Sequence, residues 1–214
     1  ATTVNVSGAA DLTLTLTGST KVTSIDGSTM TGGLTVTSLN TTAATTIKGG
    51  SGADVLTAAT GTTADVLLGG AGNDTLVANA GLTALTGGEG NDLFVIGVAS
   101  LNVNSYATIT DFAAGDLLQI TGATSFASAK VTLGDTAVFQ DYANAAMNAL
   151  VQAVPGTDVA VGWFQFGGNT YVVADAGAES TTFVNGQDFI VKLTGLVDLS
   201  NASFNNQYDT IALV

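Results

Sequence analysis

The sequence lacks several residue types on which common protein functions depend. None of its 214 residues is cysteine or histidine, only 1 is proline, and the 4 basic residues are all lysine. The absence of cysteine excludes disulfides, thiol redox motifs and thiolate metal sites. Without histidine or cysteine there is also no imidazole base and no thiolate nucleophile. Apolar runs are too short to span a bilayer, so we expect no membrane insertion.

The charge of the chain is strongly one-sided. Its 17 acidic residues outweigh the 4 lysines and give a formal net charge of −13. Such a polyanion is repelled by nucleic acid and by anionic lipid, and its natural partner is a cation. Nearly all of the acid is aspartate, because glutamate occurs only at Glu89 and Glu179. Aspartate suits turns and hard cations, although an acidic surface that promotes solubility would show a similar bias.

Apolar residues recur along the first part of the chain at a period that shortens toward the glycine-rich segments. Ile25 and Ile47 are 22 residues apart, and the spacings from Leu12 to Leu34 and from Leu34 to Leu56 are also 22. Further along, the spacings are 20 and then 18, ending at Phe94. Between these markers apolar residues alternate with Thr or Ser, as in a strand with one buried face. This pattern predicts a parallel β-solenoid over residues 1–96, in which each coil stacks on its neighbours.

Three glycine-rich nonapeptides lie within this region. They are GGSGADVLT (49–57), GGAGNDTLV (69–77) and GGEGNDLFV (87–95). Because a nonapeptide is half a coil, their aspartates, which are 20 and 18 residues apart, should lie above one another on one flank. The intervening half-coils keep a single aspartate, Asp65, so we expect no metal site on the other flank.

Residues 97–214 are predicted to form a β-rich C-terminal cap with one helix. Residues 104–120 indicate two strands around a turn, and the spacing of apolar residues from Phe139 to Val154 indicates an amphipathic helix that ends at Pro155-Gly156. A hairpin is predicted over 163–175, turning at Gly167-Gly168-Asn169, and a further strand pair over 183–196. The fold class is therefore all-β, a solenoid followed by a cap.

Glycine-rich turns that stack at strand spacing point to a hard divalent cation. Glycine allows backbone angles at which several carbonyl oxygens converge, and each aspartate adds an anionic oxygen. Two bare carboxylates about 5 Å apart repel each other by roughly 3 kcal/mol at an effective dielectric of 20. An all-oxygen ligand set favours calcium over zinc or copper, and over magnesium, which needs a stricter octahedron. A single copy would indicate an ordinary turn, whereas three copies in phase predict calcium.

The nonapeptides resemble the RTX repeat GGxGxDxUx of calcium-binding β-rolls. The resemblance implies that each ion lies between two stacked turns, held by carbonyl oxygens and by the aspartate of each turn. It also implies a third site that uses Asp111, with Asp26 able to complete the opposite end of the column. The implied ligand residues are Gly50, Gly52, Asp54, Gly69, Ala71 and Asp74 for the first ion; Gly70, Gly72, Asp74, Gly87, Glu89 and Asp92 for the second; and Gly88, Gly90, Asp92 and Asp111 for the third.

A wider resemblance concerns the whole chain. Its Thr-, Ala-, Val- and Gly-rich upstream coils and the ending WFQFGGNTYVV to DFIVKLTGLVDLS are similar to the C-terminal region of RTX-type surface-layer (S-layer) proteins of Gram-negative bacteria. That resemblance implies a calcium-binding RTX β-roll at 49–96 and a secretion signal within 97–214, where the acidic tail VDLSNASFNNQYDTIALV lacks Lys and Arg. It also implies export by type I secretion machinery, calcium-driven folding outside the cell and self-association into a two-dimensional lattice at the cell surface. The chain opens without Met or a signal peptide, so we expect it to be part of a longer polypeptide.

Two other classes remain open, the export module of a secreted protease or lipase and that of an adhesin. No zincin motif or GxSxG elbow occurs in the sequence, and we expect no enzymatic activity from these residues. Asp111 and Asp116 form a possible carboxylate pair, but calcium binding or turn capping is the preferred interpretation. Aromatic residues of the predicted hairpin, among them Trp163 and Tyr171, could stack on a sugar, although a core position is more common for alternating residues.

Overall fold

The structure is a computed structural model that describes residues 2–61, 63–79, 82–97, 102–153, 159–176 and 180–213. Within these residues it contains strands and one helix. The strands are β1 Thr3–Gly8, β2 Leu12–Leu14, β3 Ser24–Met30, β4 Leu34–Thr37, β5 Thr46–Lys48, β6 Val55–Thr57, β7 Val66–Ala71, β8 Thr75–Ala78, β9 Ala84–Glu89, β10 Leu93–Ile96, β11 Ala107–Ile109, β12 Leu117–Ile120, β13 Ala123–Phe126, β14 Val159–Phe166, β15 Asn169–Asp175, β16 Phe189–Leu193, β17 Ser203–Asn205 and β18 Thr210–Ala212, and the helix is α1 Phe139–Ala153.

The predicted parallel β-solenoid is confirmed. Strands β1 to β12 alternate between two sheets, and each pairs in parallel with the equivalent strand of the next coil. Sheet A has the order β1-β3-β5-β7-β9-β11-β16-β15-β14-β13, and sheet B has the order β17-β18-β12-β10-β8-β6-β4-β2. Because every coil pairs with its neighbours, short strands separated by tight turns are enough to form two continuous parallel sheets.

The core lies between the two sheets and consists of stacked columns of like residues. Register pairs each inward side chain with its equivalent one coil away, so that apolar atoms meet along the whole length of the solenoid. Removing such side chains from water is the main favourable term in folding. Fully buried members include Ile25, Ile47, Leu67, Leu85, Ile109 and Leu193 on sheet A, and Leu34, Leu56, Leu76, Phe94 and Leu118 on sheet B.

One of the spacings read from the sequence does not correspond to a register pair. Leu12 pairs with Leu34 as expected, but Leu56 pairs with Val36 rather than with Leu34. Leu34 and Val36 are both buried, because they are two residues apart on one strand and point to the same face. The sequence alone does not show which of the two pairs with Leu56. That depends on the length of the intervening turn, which the spacing of apolar residues does not reveal.

Both sheets continue past the boundary predicted between residues 96 and 97. Strand β11 pairs in parallel with β9, and β12 pairs in parallel with β10, so the segment 104–120 adds a further coil. The two predicted strands around a turn are thus present, and they belong to the solenoid stack. Strands β16 and β18 then extend sheets A and B, which makes the cap continuous with the solenoid. The division into two domains stays a prediction.

The cap contains the predicted helix and hairpin. Helix α1 packs against β14 and β15, while Val154 and Pro155-Gly156 lie outside the described residues. Strands β14 and β15 form an antiparallel hairpin across Gly167 and Gly168, whose φ angles are 56° and 80°. Positive φ at both turn positions is the conformation that glycine adopts without steric cost.

The strand pair predicted over 183–196 is wrong. Only β16 forms there, and the residues before it make a turn in which the backbone N–H of Val184 donates to the Asp188 carboxylate at 2.6 Å. That side-chain bond replaces the cross-strand bonds which a hairpin would need.

The hairpin aromatic residues belong to the core, not to an exposed sugar platform. Trp163, Phe164 and Tyr171 are all buried, and Phe164 stacks on Tyr171 with ring centroids 5.4 Å apart. No helix in the described part of the chain is long and apolar enough to cross a bilayer.

Candidate metal centre

The turns that lead from sheet A to sheet B on one flank are built from the glycine repeats. Strand β7 runs directly into the second repeat and β9 into the third, with Gly70 opposite Gly88 and Ala71 opposite Glu89. The second and fourth positions of both turns have φ angles between 106° and 133°. Side chains rarely adopt these angles, which is why glycine recurs there. The residues concerned are Gly70, Gly72, Gly88 and Gly90.

The first glycine of each repeat is required for a different reason, close approach. A Cβ atom placed on Gly69 would overlap the Asp74 carboxylate and the carbonyl oxygen of Gly87. Equivalent overlaps would occur at Gly49, with Asp54 and the Gly69 carbonyl, and at Gly87, with Asp92. Each turn therefore leaves space in which its aspartate lies beneath its own first glycine, next to a carbonyl oxygen of the following coil in the first two turns.

The three repeat aspartates lie above one another, as the spacing predicts. Asp54, Asp74 and Asp92 immediately precede register-paired strands, and their exposed fractions are only 1%, 1% and 2%. The backbone N–H of Asp54 donates to Oδ1 of Asp74 at 2.8 Å, and the N–H of Asp74 donates to Oδ1 of Asp92 at 2.9 Å. These bonds tie each coil to the next and hold the carboxylates in a column.

Asp74 at the centre of the column is electrostatically frustrated. Its Oδ2 atom is buried without a hydrogen-bond partner, and it is the only carboxylate oxygen in that state among the described residues. Burial, followed by the charges of Asp54 and Asp92, raises the pKa of Asp74 to about 7, against the opposing effect of the Asp54 N–H. Burial is also the main cause of a raised pKa at Asp92. A buried anion in this position requires either a proton or a cation.

The first repeat differs from the other two. Here the backbone N–H of Gly50 donates to Oδ2 of Asp54 at 2.7 Å, so this carboxylate is satisfied by its own turn. The Gly50 carbonyl accepts a bond from the Ala71 N–H at 2.9 Å, and the Glu89 carbonyl accepts one from the Gly72 N–H at 2.8 Å. Each carbonyl oxygen has a second lone pair, so these bonds are compatible with the ligand roles that the RTX resemblance implies.

Asp116, rather than Asp111, continues the aspartate column. Oδ1 of Asp116 accepts a bond from the Asp92 N–H at 3.0 Å, repeating the ladder of the preceding coils. Asp111 lies at the level of the first glycine, where its carboxylate accepts bonds from the N–H groups of Gly87 and Gly88 at 3.1 and 2.9 Å. It therefore approaches the third turn from the side of sheet A. The sequence signal for Asp116 was an aspartate two residues before an inward apolar residue, Leu118, as in the repeats.

Asp26 does not complete the other end of the column. It lies on β3 opposite Lys48, and its carboxylate accepts bonds from the N–H and hydroxyl groups of Ser28 at 3.0 and 2.6 Å. Both bonds lower the pKa of Asp26, and the bond from the Ser28 hydroxyl has the larger effect. At that end the column terminates with Asp54, whose Oδ1 accepts a bond from the N–H of Leu34 at 2.6 Å.

On the opposite flank, Asp65 is buried with both carboxylate oxygens hydrogen-bonded. Oδ1 of Asp65 accepts a bond from the Thr45 N–H at 2.8 Å, and Oδ2 accepts one from the Ala59 N–H at 2.9 Å. Both oxygens are thus satisfied by backbone amides. Asp65 differs in this respect from Asp74, and the absence of a metal site on its flank stays a prediction.

The donor set of the repeat flank fits calcium. It consists of one carboxylate from each turn and backbone carbonyl oxygens, which are the hard ligands that calcium prefers. No group of three or more His, Cys, Asp or Glu side chains that could hold a metal occurs among the described residues, so any site must draw on carbonyls. The structure brings the three repeat turns together, whereas the assignment of individual ligands stays a prediction.

Comparison with known families agrees with this geometry. The RTX calcium-binding nonapeptide repeat family matches residues 41–62 and 59–94. A search of curated proteins finds no match to the chain. The matched segments include all three turns described above, and RTX repeats bind calcium. Calcium is therefore the cofactor of this β-roll, and proteins with such repeats are typically secreted.

Proposed function

We propose that this protein is a structural component of a bacterial surface layer, exported by type I machinery, which folds and assembles when it meets calcium outside the cell. The observation that carries the proposal is the buried aspartate column with the unpaired Oδ2 of Asp74 at its centre. Without a cation this arrangement opposes folding, because buried carboxylates repel each other.

The calcium concentration around the protein determines whether the repulsion between the buried carboxylates is relieved, and this concentration differs between the inside and the outside of the cell. Extracellular calcium-binding modules have affinities of about 10⁻⁴–10⁻³ M, so their sites fill at the millimolar calcium outside cells and stay empty in the cytoplasm. Binding to the folded form alone stabilises it by about 1.4 kcal/mol per site when calcium is at ten times its Kd. Folding would thereby wait until export is complete.

The lattice role draws its support from the rest of the solenoid. Coils without glycine repeats, from β1 to β5, stack on the calcium-binding coils in the same two sheets. The outward-facing side chains of such a stack supply surface for contacts with neighbouring copies. The proposal assigns no catalytic role to these residues, in a sequence without histidine or cysteine.

Electron microscopy of the purified protein tests the lattice role. We expect two-dimensional sheets at millimolar calcium that disperse on addition of a chelator. The double variant Asp74→Asn, Asp92→Asn should fail to form sheets at the same calcium concentration. Asp135→Asn removes a charge from an exposed position away from the column and should assemble normally.

The alternatives predict a different result. An export module of a secreted hydrolase or of an adhesin would bind calcium and fold, yet stay dispersed at every calcium concentration. Calcium-dependent folding without any sheets, in the full-length protein, would therefore overturn the surface-layer assignment and favour one of these modules.

A further inference from the structure

A cleft lies on the outer face of sheet B, where the solenoid meets the cap. Inward side chains of β12 and β18, such as Leu118 and Ile211, are buried, so the alternate residues of these strands face outward. Strand β12 is parallel to β10 and antiparallel to β18, which in turn is antiparallel to β17. Four strands from distant parts of the chain thus form one floor, which we call the sheet B cleft.

The floor of the sheet B cleft has an apolar row and a polar row. In the first row, Leu93 pairs with Leu117 and Leu117 pairs with Ala212. In the second row, Gln119 pairs with Thr210 and Thr210 pairs with Asn205. The rows are two residues apart along the strands, roughly 7 Å. A ligand that covers both rows must present an apolar face beside hydrogen-bonding groups.

The cleft is accessible and large enough for a small ligand. Its volume is about 510 Å³, within the range of small-molecule sites. Leu117 is 36% exposed, and Tyr208, in the turn between β17 and β18, is 59% exposed. An exposed aromatic ring beside an apolar floor offers a stacking surface.

The lining of the cleft, as far as the described residues form it, carries no charged side chain, although the whole chain has a net charge of −13. The aspartates next to lining residues in sequence do not face the cleft as free charges. Asp92 and Asp116, which precede Leu93 and Leu117, are buried in the aspartate column, and Asp209 accepts a bond from the N–H of Gly122 at 2.9 Å through Oδ2. An anionic ligand would be repelled by the protein, and a cation would find no carboxylate among the lining residues that the structure describes. The charge pattern therefore selects a neutral ligand.

Polar atoms of the cleft have unused hydrogen-bonding capacity. Nε2 of Gln119 donates to the Tyr208 carbonyl at 2.9 Å, which leaves the acceptor Oε1. Oδ1 of Asn205 accepts a bond from the N–H of Gln207 at 3.0 Å, which leaves the donor Nδ2. Ser203 adds a hydroxyl that can donate and accept. The cleft thus offers a free acceptor, a free donor and a hydroxyl group around an apolar floor. This combination suits a ligand that is rich in hydroxyl groups.

We propose that the sheet B cleft binds a neutral oligosaccharide, with one sugar face on Leu117 and Tyr208 and its hydroxyl groups on Gln119 and Asn205. A sugar combines an apolar C–H face with equatorial hydroxyl groups, as the two rows require. A purely apolar partner would leave the polar row unpaired at a desolvation cost. The inference does not rest on the surface-layer role, because any of the exported protein classes could use such a site.

Calorimetric titration of the calcium-loaded protein tests this assignment. The probes are neutral tetrasaccharides of glucose, N-acetylglucosamine, xylose, mannose and galactose, together with an acidic oligomer of galacturonic acid. We expect saturable binding of at least one neutral probe and weaker binding of the acidic one. Tyr208→Ala should reduce affinity by about fivefold or more, whereas Tyr208→Phe keeps the ring and should bind normally.

A matched pair of variants separates the cleft from general surface stickiness. Leu117→Lys places a charge on the floor and should abolish binding. Val55→Lys makes the same kind of change on the same outer face, at a residue 38% exposed and outside the cleft, and should leave binding unchanged. Circular dichroism in calcium establishes that each variant is folded.

Two results would overturn the proposal. One is the absence of binding for every neutral probe at millimolar concentration. The other is binding that survives both Leu117→Lys and Tyr208→Ala in folded protein. If sedimentation shows self-association that Leu117→Lys alone abolishes, and no probe binds, the face belongs to a second copy of the chain.

Discussion

At the scale of single residues, the most unfavourable electrostatic environment described in this protein is that of the Asp74 carboxylate. Its carboxylate is buried between two other aspartates, and one of its oxygens has no hydrogen bond. A proton or a calcium ion relieves the penalty, and the same carboxylate is therefore destabilising in one state and stabilising in the other. A substitution here should have effects of opposite sign with and without calcium.

Asp74→Asn tests that reversal. The amide keeps an oxygen that can accept the bond from the Asp54 N–H, but it carries no charge. In chelator we expect thermal unfolding to shift upward by the equivalent of about 1–2 kcal/mol, because the cost of burying a charge and the repulsion by Asp54 and Asp92 are both gone. In calcium we expect roughly tenfold weaker binding by calorimetry. Equal shifts in both conditions, or shifts matched by the exposed control Asp135→Asn, would contradict this account.

Gly69→Ala tests the space beneath the first glycine of a repeat. Its methyl group would overlap the Asp74 carboxylate and the Gly87 carbonyl, so backbone of the next coil must move. We expect a loss of roughly 2–4 kcal/mol in chemical unfolding in calcium. Gly134→Ala is the matched control, because a Cβ there meets nothing within 4 Å, and it should change stability by less than about 0.5 kcal/mol. Comparable losses in the two variants would refute the close-approach argument.

At the scale of elements, the turn 111–116 extends the aspartate column beyond the residues that match the repeat family. Its two aspartates have different positions, since Asp116 continues the column and Asp111 bonds to the amides of Gly87 and Gly88. The turn 111–116 thus brings a carboxylate at each of its two ends, Asp111 and Asp116, against the turn 87–92.

Asp116→Asn should reduce calcium stoichiometry while leaving the fold intact. The amide keeps an oxygen for the Asp92 N–H and gives up the bond that Oδ2 accepts from the Ala113 N–H at 2.9 Å. The last pair of turns thereby loses half of the carboxylates in its column. We expect the number of ions per chain, measured by calorimetry with metal analysis, to fall relative to the parent. An unchanged stoichiometry in Asp116→Asn combined with a reduced one in Asp111→Asn would assign the role to Asp111 instead.

At the scale of the whole molecule, stability should depend on pH with a sign set by calcium. Burial and neighbouring charge raise the pKa of Asp74 from 3.8 to about 7 and also raise that of Asp92. Between these values the folded form of Asp74 binds a proton that the unfolded form does not. Without calcium, the free energy of unfolding therefore falls as pH rises from about 4 to 7, and the penalty is fully present above 7.

We expect a loss of roughly 4 kcal/mol over that pH range in chelator, since each pH unit between 3.8 and about 7 contributes about 1.4 kcal/mol. With saturating calcium the slope should reverse, because calcium binds the ionised carboxylates and its stabilisation grows with pH. Urea unfolding at several pH values, with calcium and with chelator, measures both slopes. If the free energy of unfolding changes with pH in the same way with calcium and with chelator, the aspartate column is not the site that couples protons and calcium to folding.

The sequence by itself determined the features that repeat locally. Period-2 alternation and a coil of about 20 residues specify stacked parallel strands, because no single coil can bury its own apolar face. Glycines at fixed positions followed by aspartate specify a turn with converging oxygens and, with three copies in phase, the cation that fills it. The amphipathic helix and the Gly167-Gly168 hairpin follow from equally local patterns.

Only the tertiary structure decided which residues meet across coils. Asp116 rather than Asp111 stacks on Asp92, and Asp26 lies opposite Lys48, because loop lengths between strands set the register. The sheet B cleft likewise exists only because β18 returns antiparallel to β12 from far along the chain. Long-range register is a property of all the coils packed together, since a slip of one residue turns each side chain to the other face, and no local pattern contains that information.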